Sequence, residues 1–120
     1  MAGYVLDGVR YEHADLGNDV PVREQIRVER WLRTAGISDA RTFEDLLAIV
    51  MEVNSSPTLR EQMRHPESKL AFSLGLWAAR RNAGDKVTLD DCLGWTWNTL
   101  GFYDDAEEVS GSSLGKDPAP

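Results

Sequence analysis

The sequence predicts a mainly α-helical protein: a short N-terminal β-hairpin packed on a small bundle of about four helices, followed by a disordered acidic tail. Three features carry that prediction. Apolar residues recur at helical spacing in several separate runs, Thr-x-x-Asp pairs stand ahead of two of them, and an Asp-Gly pair lies between β-branched and aromatic residues near the N-terminus. A chain of 120 residues with 42% apolar and 28% charged side chains suits one compact domain, read as residues 1–103, with 104–120 as the tail.

The hairpin is Tyr4-Val-Leu-Asp-Gly-Val-Arg-Tyr11, turning at Asp7-Gly8. Two strands alone are marginal in water, so Val5, Val9 and Tyr11 are expected to lie on the helical body, with the hairpin as an appendage. Asp19-Val20-Pro21 then opens the first helix, Val22 to Ala35, which halts at Gly36. At about 100° per residue, Val28, Trp31, Leu32 and Ala35 form one apolar sector and Val22 with Ile26 forms another. Glu29 projects into the gap between them. Two readings of Glu29 stand: a rim carboxylate matched by a neighbouring arginine, or a catalytic acid with a raised pKa.

Thr42 and Asp45 cap the second helix, Phe43 to Val53, whose Phe43, Leu46, Leu47, Ile49, Val50 and Val53 cover one broad face. Asn54-Ser-Ser-Pro57 ends it, and a short polar helix over Leu59 to Arg64 leads to a break at His65-Pro66. Ser68 then precedes a helix running to Asn82 that is apolar almost all round, with Arg80 and Arg81 in its last turn, where they complement the helix dipole. Gly75 costs that helix stability relative to alanine and implies close approach by another backbone. Thr88 and Asp91 repeat the capping pair ahead of a last helix read over Leu89 to Leu100, on which Trp95 and Trp97 face different ways. From Asp104 onward the chain holds five acids and one lysine, a charge of −4 out of the total −7, and few large apolar residues. That stretch is expected to be disordered.

The net charge of −7 makes binding to nucleic acid or to an anionic membrane unfavourable. A single cysteine, Cys92, excludes an intramolecular disulfide and a multi-cysteine zinc site, and fits a reducing cytoplasm. No basic, apolar leader and no apolar run of about 20 residues is present, so neither secretion nor membrane insertion is expected. No plausible Ser/Cys-His-acid constellation and no phosphate-binding glycine loop exist, and Glu12, His13 and Asp15 read as a solvated link rather than metal ligands. The expectation is a protein that is not an enzyme and needs no cofactor or metal. A DNA reader would use Arg23, Arg27, Arg30 and Arg33 of the first helix, but Glu24 and Glu29 are interspersed with them. What remains is apolar surface, including four tryptophans. A helical core that absorbs all of it and an exposed groove for a partner helix stand as equal readings.

The opening Leu6-Asp-Gly-Val-Arg-Tyr-Glu12, the helix Gln25 to Leu32, the apolar helix Leu70-Ala-Phe-Ser-Leu-Gly-Leu-Trp-Ala-Ala-Arg-Arg81 and the following Asp85-Lys-Val-Thr-Leu-Asp-Asp91 resemble the small tail assembly chaperones of long-tailed bacteriophages, especially those of actinobacterial hosts. The stretch Leu70 to Asp91 carries the most specific part of the likeness, whereas the second helix and the Pro57 to Pro66 region depart from it. The resemblance implies a chaperone, acting without ATP in the host cytoplasm and absent from the finished virion. It would bind the tape-measure protein and keep it soluble while tail-tube subunits polymerise. It also implies a second, longer product made by ribosomal frameshifting near Leu114-Gly-Lys-Asp117. The partner face is expected at Phe72, Leu76, Trp77, Trp95 and Phe102, with Glu29 and Arg81 as a structural ion pair. A head-tail connector or other virion protein, and a small helical DNA-binding regulator, are the alternatives. The sequence assigns no oligomeric state.

Overall fold

A computed structural model describes residues 2–103 and 108–110 of the chain. The protein is mainly helical, as the sequence predicts, with four α-helices among the described residues. Their order is β1 (Gly3–Leu6), β2 (Val9–Glu12), α1 (Val22–Ala35), α2 (Phe43–Asn54), α3 (Leu59–Arg64), α4 (Ser68–Asn82), a single 3-10 helix (Asp90–Leu93), β3 (Leu100–Tyr103) and β4 (Glu108–Ser110). The chain divides into two compact units, one made of residues 1–14 and 73–120 and the other of residues 15–72. The helix α4 supplies Ser68–Phe72 to the contiguous unit and Ser73–Asn82 to the discontinuous one.

In the discontinuous unit the hairpin turns where the sequence indicates. Asp7 and Gly8 take φ of 50° and 84°, the two left-handed positions of a tight two-residue turn, and set Leu6 opposite Val9 and Gly3 opposite Glu12. The hairpin is not an appendage, however. Leu100–Tyr103 pairs antiparallel with the other side of β1, from Leu6↔Leu100 to Gly3↔Tyr103, and Glu108–Ser110 pairs with β3, giving the order β2-β1-β3-β4. The strand β1 is therefore central, and Tyr4 and Val5 are buried while Val9 stays exposed. Glu108–Ser110 lies in the stretch expected to be disordered and forms a strand; the expected disorder of 104–107 and 111–120 falls outside the described residues.

The last helix expected over Leu89 to Leu100 is a correction. Thr88 and Asp91 do form the reciprocal cap, with Thr88 N donating to Asp91 Oδ2 at 2.9 Å and Asp91 N to Thr88 Oγ1 at 3.2 Å, but the helix they start is a 3-10 turn that ends at Leu93. Beyond Gly94 the run Trp-Thr-Trp-Asn-Thr is poor in strong helix formers, and Thr99 turns its hydroxyl onto the backbone N–H of Thr96 at 2.9 Å, a local bond that competes with helix. Leu100, read as the end of that helix, and Phe102 lie on the same face of β3, and both are buried.

Gly75 has the reason expected of it in kind, with a different neighbour. A Cβ there would run into the hydroxyl of Tyr4 and stand 3.0 Å from its Cζ, so a side chain rather than a backbone makes the close approach. Burial removes that hydroxyl from water and pushes its pKa well above the ordinary tyrosine value.

In the contiguous unit, Asp15 to Asp19 bonds to itself: Asp15 Oδ1 accepts from Gly17 N at 2.9 Å, and Asp19 Oδ2 accepts from Asp15 N at 2.8 Å. The helix α1 buries Val28 and Leu32, and α2 buries Phe43, Leu46 and Val53. A complete capping box starts α2, with Asp45 N donating to Thr42 Oγ1 and Thr42 N to Asp45 Oδ2, each at 3.1 Å. Thr58 caps α3, and His65 at its end accepts from Glu67 N on Nδ1 at 3.0 Å while its Nε2 lies 3.2 Å from Glu52 Oε1.

Candidate partner-binding surface

The residues expected to face a partner are placed one by one. Phe72, Leu76 and Trp77 of α4 and Phe102 of β3 are buried, which corrects the expectation that they form an exposed face. The reason is the all-round apolar character of α4 itself, which buries Leu70 through Leu74 and Leu76 through Ala79. Trp77 is anchored as well as covered, its indole N–H donating to the Val87 carbonyl at 3.1 Å. Phe102 packs against Tyr4 with ring centroids 5.8 Å apart. Trp95 is half-buried, donates from Nε1 to Ser73 Oγ at 2.8 Å, and stands edge-on to Trp97 at 4.8 Å. The two indoles expected to face apart therefore touch, because the segment carrying them is not a helix.

Glu29 and Arg81, expected as an ion pair, each have a contact inside their own unit. Glu29 Oε2 accepts from Phe43 N at 2.7 Å, so this carboxylate takes one of the unpaired N–H groups at the start of α2. The Arg81 guanidinium lies 5.3 Å from the centroid of the Trp77 ring.

A polar cluster joins β2, α4 and the loop after it. Arg80 Nε meets Asp85 Oδ2 at 3.2 Å, and its guanidinium lies 5.8 Å from the Tyr11 ring. Burial pushes the Cys92 thiol up from its ordinary pKa, with Arg80 opposing, and burial with the nearby Asp85 carboxylate pushes Tyr11 up. A thiol in that state is a poor nucleophile. Among the described residues, no group of histidine, cysteine, aspartate and glutamate side chains could hold a metal ion.

Large apolar side chains that the fold leaves in water lie mainly in the contiguous unit: Val22, Ile26, Ile37 and Met51, with Val9 on β2. Val22 is 67% and Ile26 44% exposed. They stand one turn apart on α1, and a helical projection places Val22, Arg33, Ile26, Arg30, Arg23, Thr34 and Arg27 side by side on an exposed arc of about 140°. The acids of the helix lie outside that arc. Glu29 is bonded to Phe43 N, and Glu24, its side chain 18% exposed, accepts from Arg27 Nη1 at 2.9 Å. The sequence showed Val22 and Ile26 as a sector of their own; nothing local marks it as the one left in water.

Comparison with protein-family models, with curated proteins and with solved structures finds no match.

Proposed function

We propose that this protein is a tail assembly chaperone of a long-tailed bacteriophage, which binds the tape-measure protein and holds it soluble until tail-tube subunits enclose it. The observation that carries the reading is the aliphatic pair Val22 and Ile26, kept in water one turn apart on α1. A helper for a long, largely helical client needs such a surface, since a reversible apolar contact covers the client without any chemical step. The resemblance of Leu70 to Arg81 and of Asp85 to Asp91 to that family points the same way. On this reading the partner face moves from the buried residues of α4 and β3 to α1. The protein acts in the host cytoplasm, is not an enzyme, stays out of the finished particle, and is joined to any frameshifted extension beyond the described residues.

The test is co-expression with a tape-measure protein of a long-tailed bacteriophage. The client is expected in the soluble fraction with the native chain and in the pellet without it, and Val22→Ser with Ile26→Ser is expected to return it to the pellet. Both positions are exposed, so the double variant keeps its own stability to within about 1 kcal/mol. A client equally soluble without the chain would overturn the reading. Recovery of the chain from purified particles would replace it with a virion structural role.

A further inference from the structure

We propose that the exposed arc of α1 is a docking surface for an acidic amphipathic helix. The arc holds two aliphatic side chains, Val22 and Ile26, set among Arg23, Arg30 and Arg33, with Arg27 at its edge. In a chain of net charge −7, that is a local reversal of sign, and the folding of this unit creates it. Of the two acids of α1, Glu29 is consumed at the start of α2, and Glu24 pairs with Arg27 at the edge of the arc rather than with Arg23, Arg30 or Arg33. Among the described residues, no carboxylate stands in ion-pair distance of Arg23, Arg30 or Arg33.

The chemistry of the occupant follows from that mixture. Isoleucine and valine one turn apart take the apolar stripe of a facing helix, at the i, i+4 spacing such a stripe presents. Arg33, between them in projection, and Arg30 and Arg23, beyond Ile26, select carboxylates along that flank of the stripe and repel a basic helix. A nucleic acid fits less well. Its phosphates would gain nothing from Val22 and Ile26, and the chain as a whole repels a polyanion.

The inference deepens the chaperone reading by giving the client segment its chemistry, and it rests on that reading only for the identity of the client. The probe is a labelled synthetic helical peptide of about six turns with leucine along one face and glutamate over the rest, titrated with the full-length protein and followed by fluorescence anisotropy. A second peptide carries lysine in place of every glutamate. The acidic peptide is expected to bind and the basic one is not. Arg30→Glu with Arg33→Glu is expected to weaken the acidic peptide at least about tenfold and to gain affinity for the basic one, and Ile26→Ser is expected to weaken the acidic peptide without that gain. All three substitutions are at exposed positions, and unchanged circular dichroism of the variants confirms the fold. Equal binding of both peptides, no binding of the acidic one, indifference to the substitutions, or tighter binding of a DNA duplex than of the acidic peptide at the same salt would each overturn the proposal. A chain that binds the acidic peptide yet leaves the tape-measure protein insoluble keeps this surface and loses the chaperone reading. One that solubilises the client but ignores the peptide does the reverse.

Discussion

The carboxylate of Glu29 and the backbone N–H of Phe43, 14 positions apart in sequence, are joined by a hydrogen bond of 2.7 Å. One side chain on α1 thus completes the start of α2, where Thr42 and Asp45 already bond other backbone groups of the first turn. This bond gives the acid that stands between two apolar sectors a structural role. Glu29→Ala is expected to lower unfolding free energy by about 1–2 kcal/mol, as loss of a helix cap does, while Glu29→Gln, which keeps an accepting oxygen, loses less than half of that. Urea unfolding of the two variants measures the difference, and equal losses would show that the charge rather than the bond matters.

Gly75 and Tyr4 give a coupled pair. Gly75→Ala alone is expected to cost about 2–3 kcal/mol, because the added methyl meets the buried hydroxyl of Tyr4. Combined with Tyr4→Phe, which removes that oxygen, the cost of the alanine is expected to shrink by half or more. A double-mutant cycle on thermal unfolding tests this, and additive effects would separate the two residues.

Acid stability follows from three aspartates. Hydrogen bonds from the backbone N–H groups of Arg41 and Thr42 hold Asp45 below the ordinary 3.8, the Thr88 backbone N–H and hydroxyl do the same for Asp91, and the Asn18 side chain and the Gly17 N–H for Asp15. A carboxyl depressed in the folded state contributes stability that is present above its unfolded pKa and disappears as pH falls through the folded value. The melting temperature is therefore expected to hold above about pH 5 and to drop progressively below about pH 4, with a shallower drop in Asp45→Asn. An unchanged slope in that variant would remove Asp45 from the account.

Cys92 is expected to resist modification. Its thiol is 2% exposed and pushed up by burial, so a thiol reagent at neutral pH should label the folded protein only as fast as the discontinuous unit opens. Stoichiometric labelling within seconds, without denaturant, would contradict the burial.

Trp95 is tied to the core by one bond. Its indole N–H satisfies the buried hydroxyl of Ser73, so Trp95→Phe is expected to cost about 1–3 kcal/mol by leaving that hydroxyl without its indole donor. Ser73→Ala, which removes the hydroxyl, is expected to cost less. The reverse ranking in thermal melts would place Trp95 among surface residues.

The helices were legible where local signals agreed: the apolar period of α1, α2 and α4, and the Thr42–Asp45 and Thr88–Asp91 pairs, are all read without knowledge of the partner element. What was not legible is set by distant neighbours. Leu100–Tyr103 continues the apolar pattern begun at Leu89, and pairing with β1 on one side and β4 on the other makes it a strand. Phe72, Leu76, Trp77 and Phe102 have the composition of an interface and the position of a core. The arginines of α1 looked neutralised because Glu24 and Glu29 stand among them in the sequence. Folding turns Glu29 to the start of α2 and Glu24 to Arg27, and leaves Arg23, Arg30 and Arg33 in water.

The pairing of Gly3 with Tyr103 sets an order on the birth of the chain. A ribosome delivers β1 ahead of the whole Asp15–Phe72 segment and its second neighbour, β3, after it, so the strand waits through that stretch of synthesis with only a two-stranded hairpin to hold it. The segment from Asp15 to Phe72 is contiguous and carries no such delay. The nascent protein is thus built from the middle outward, and a transcript cut short of Leu100 yields a chain whose first strand never receives its second partner.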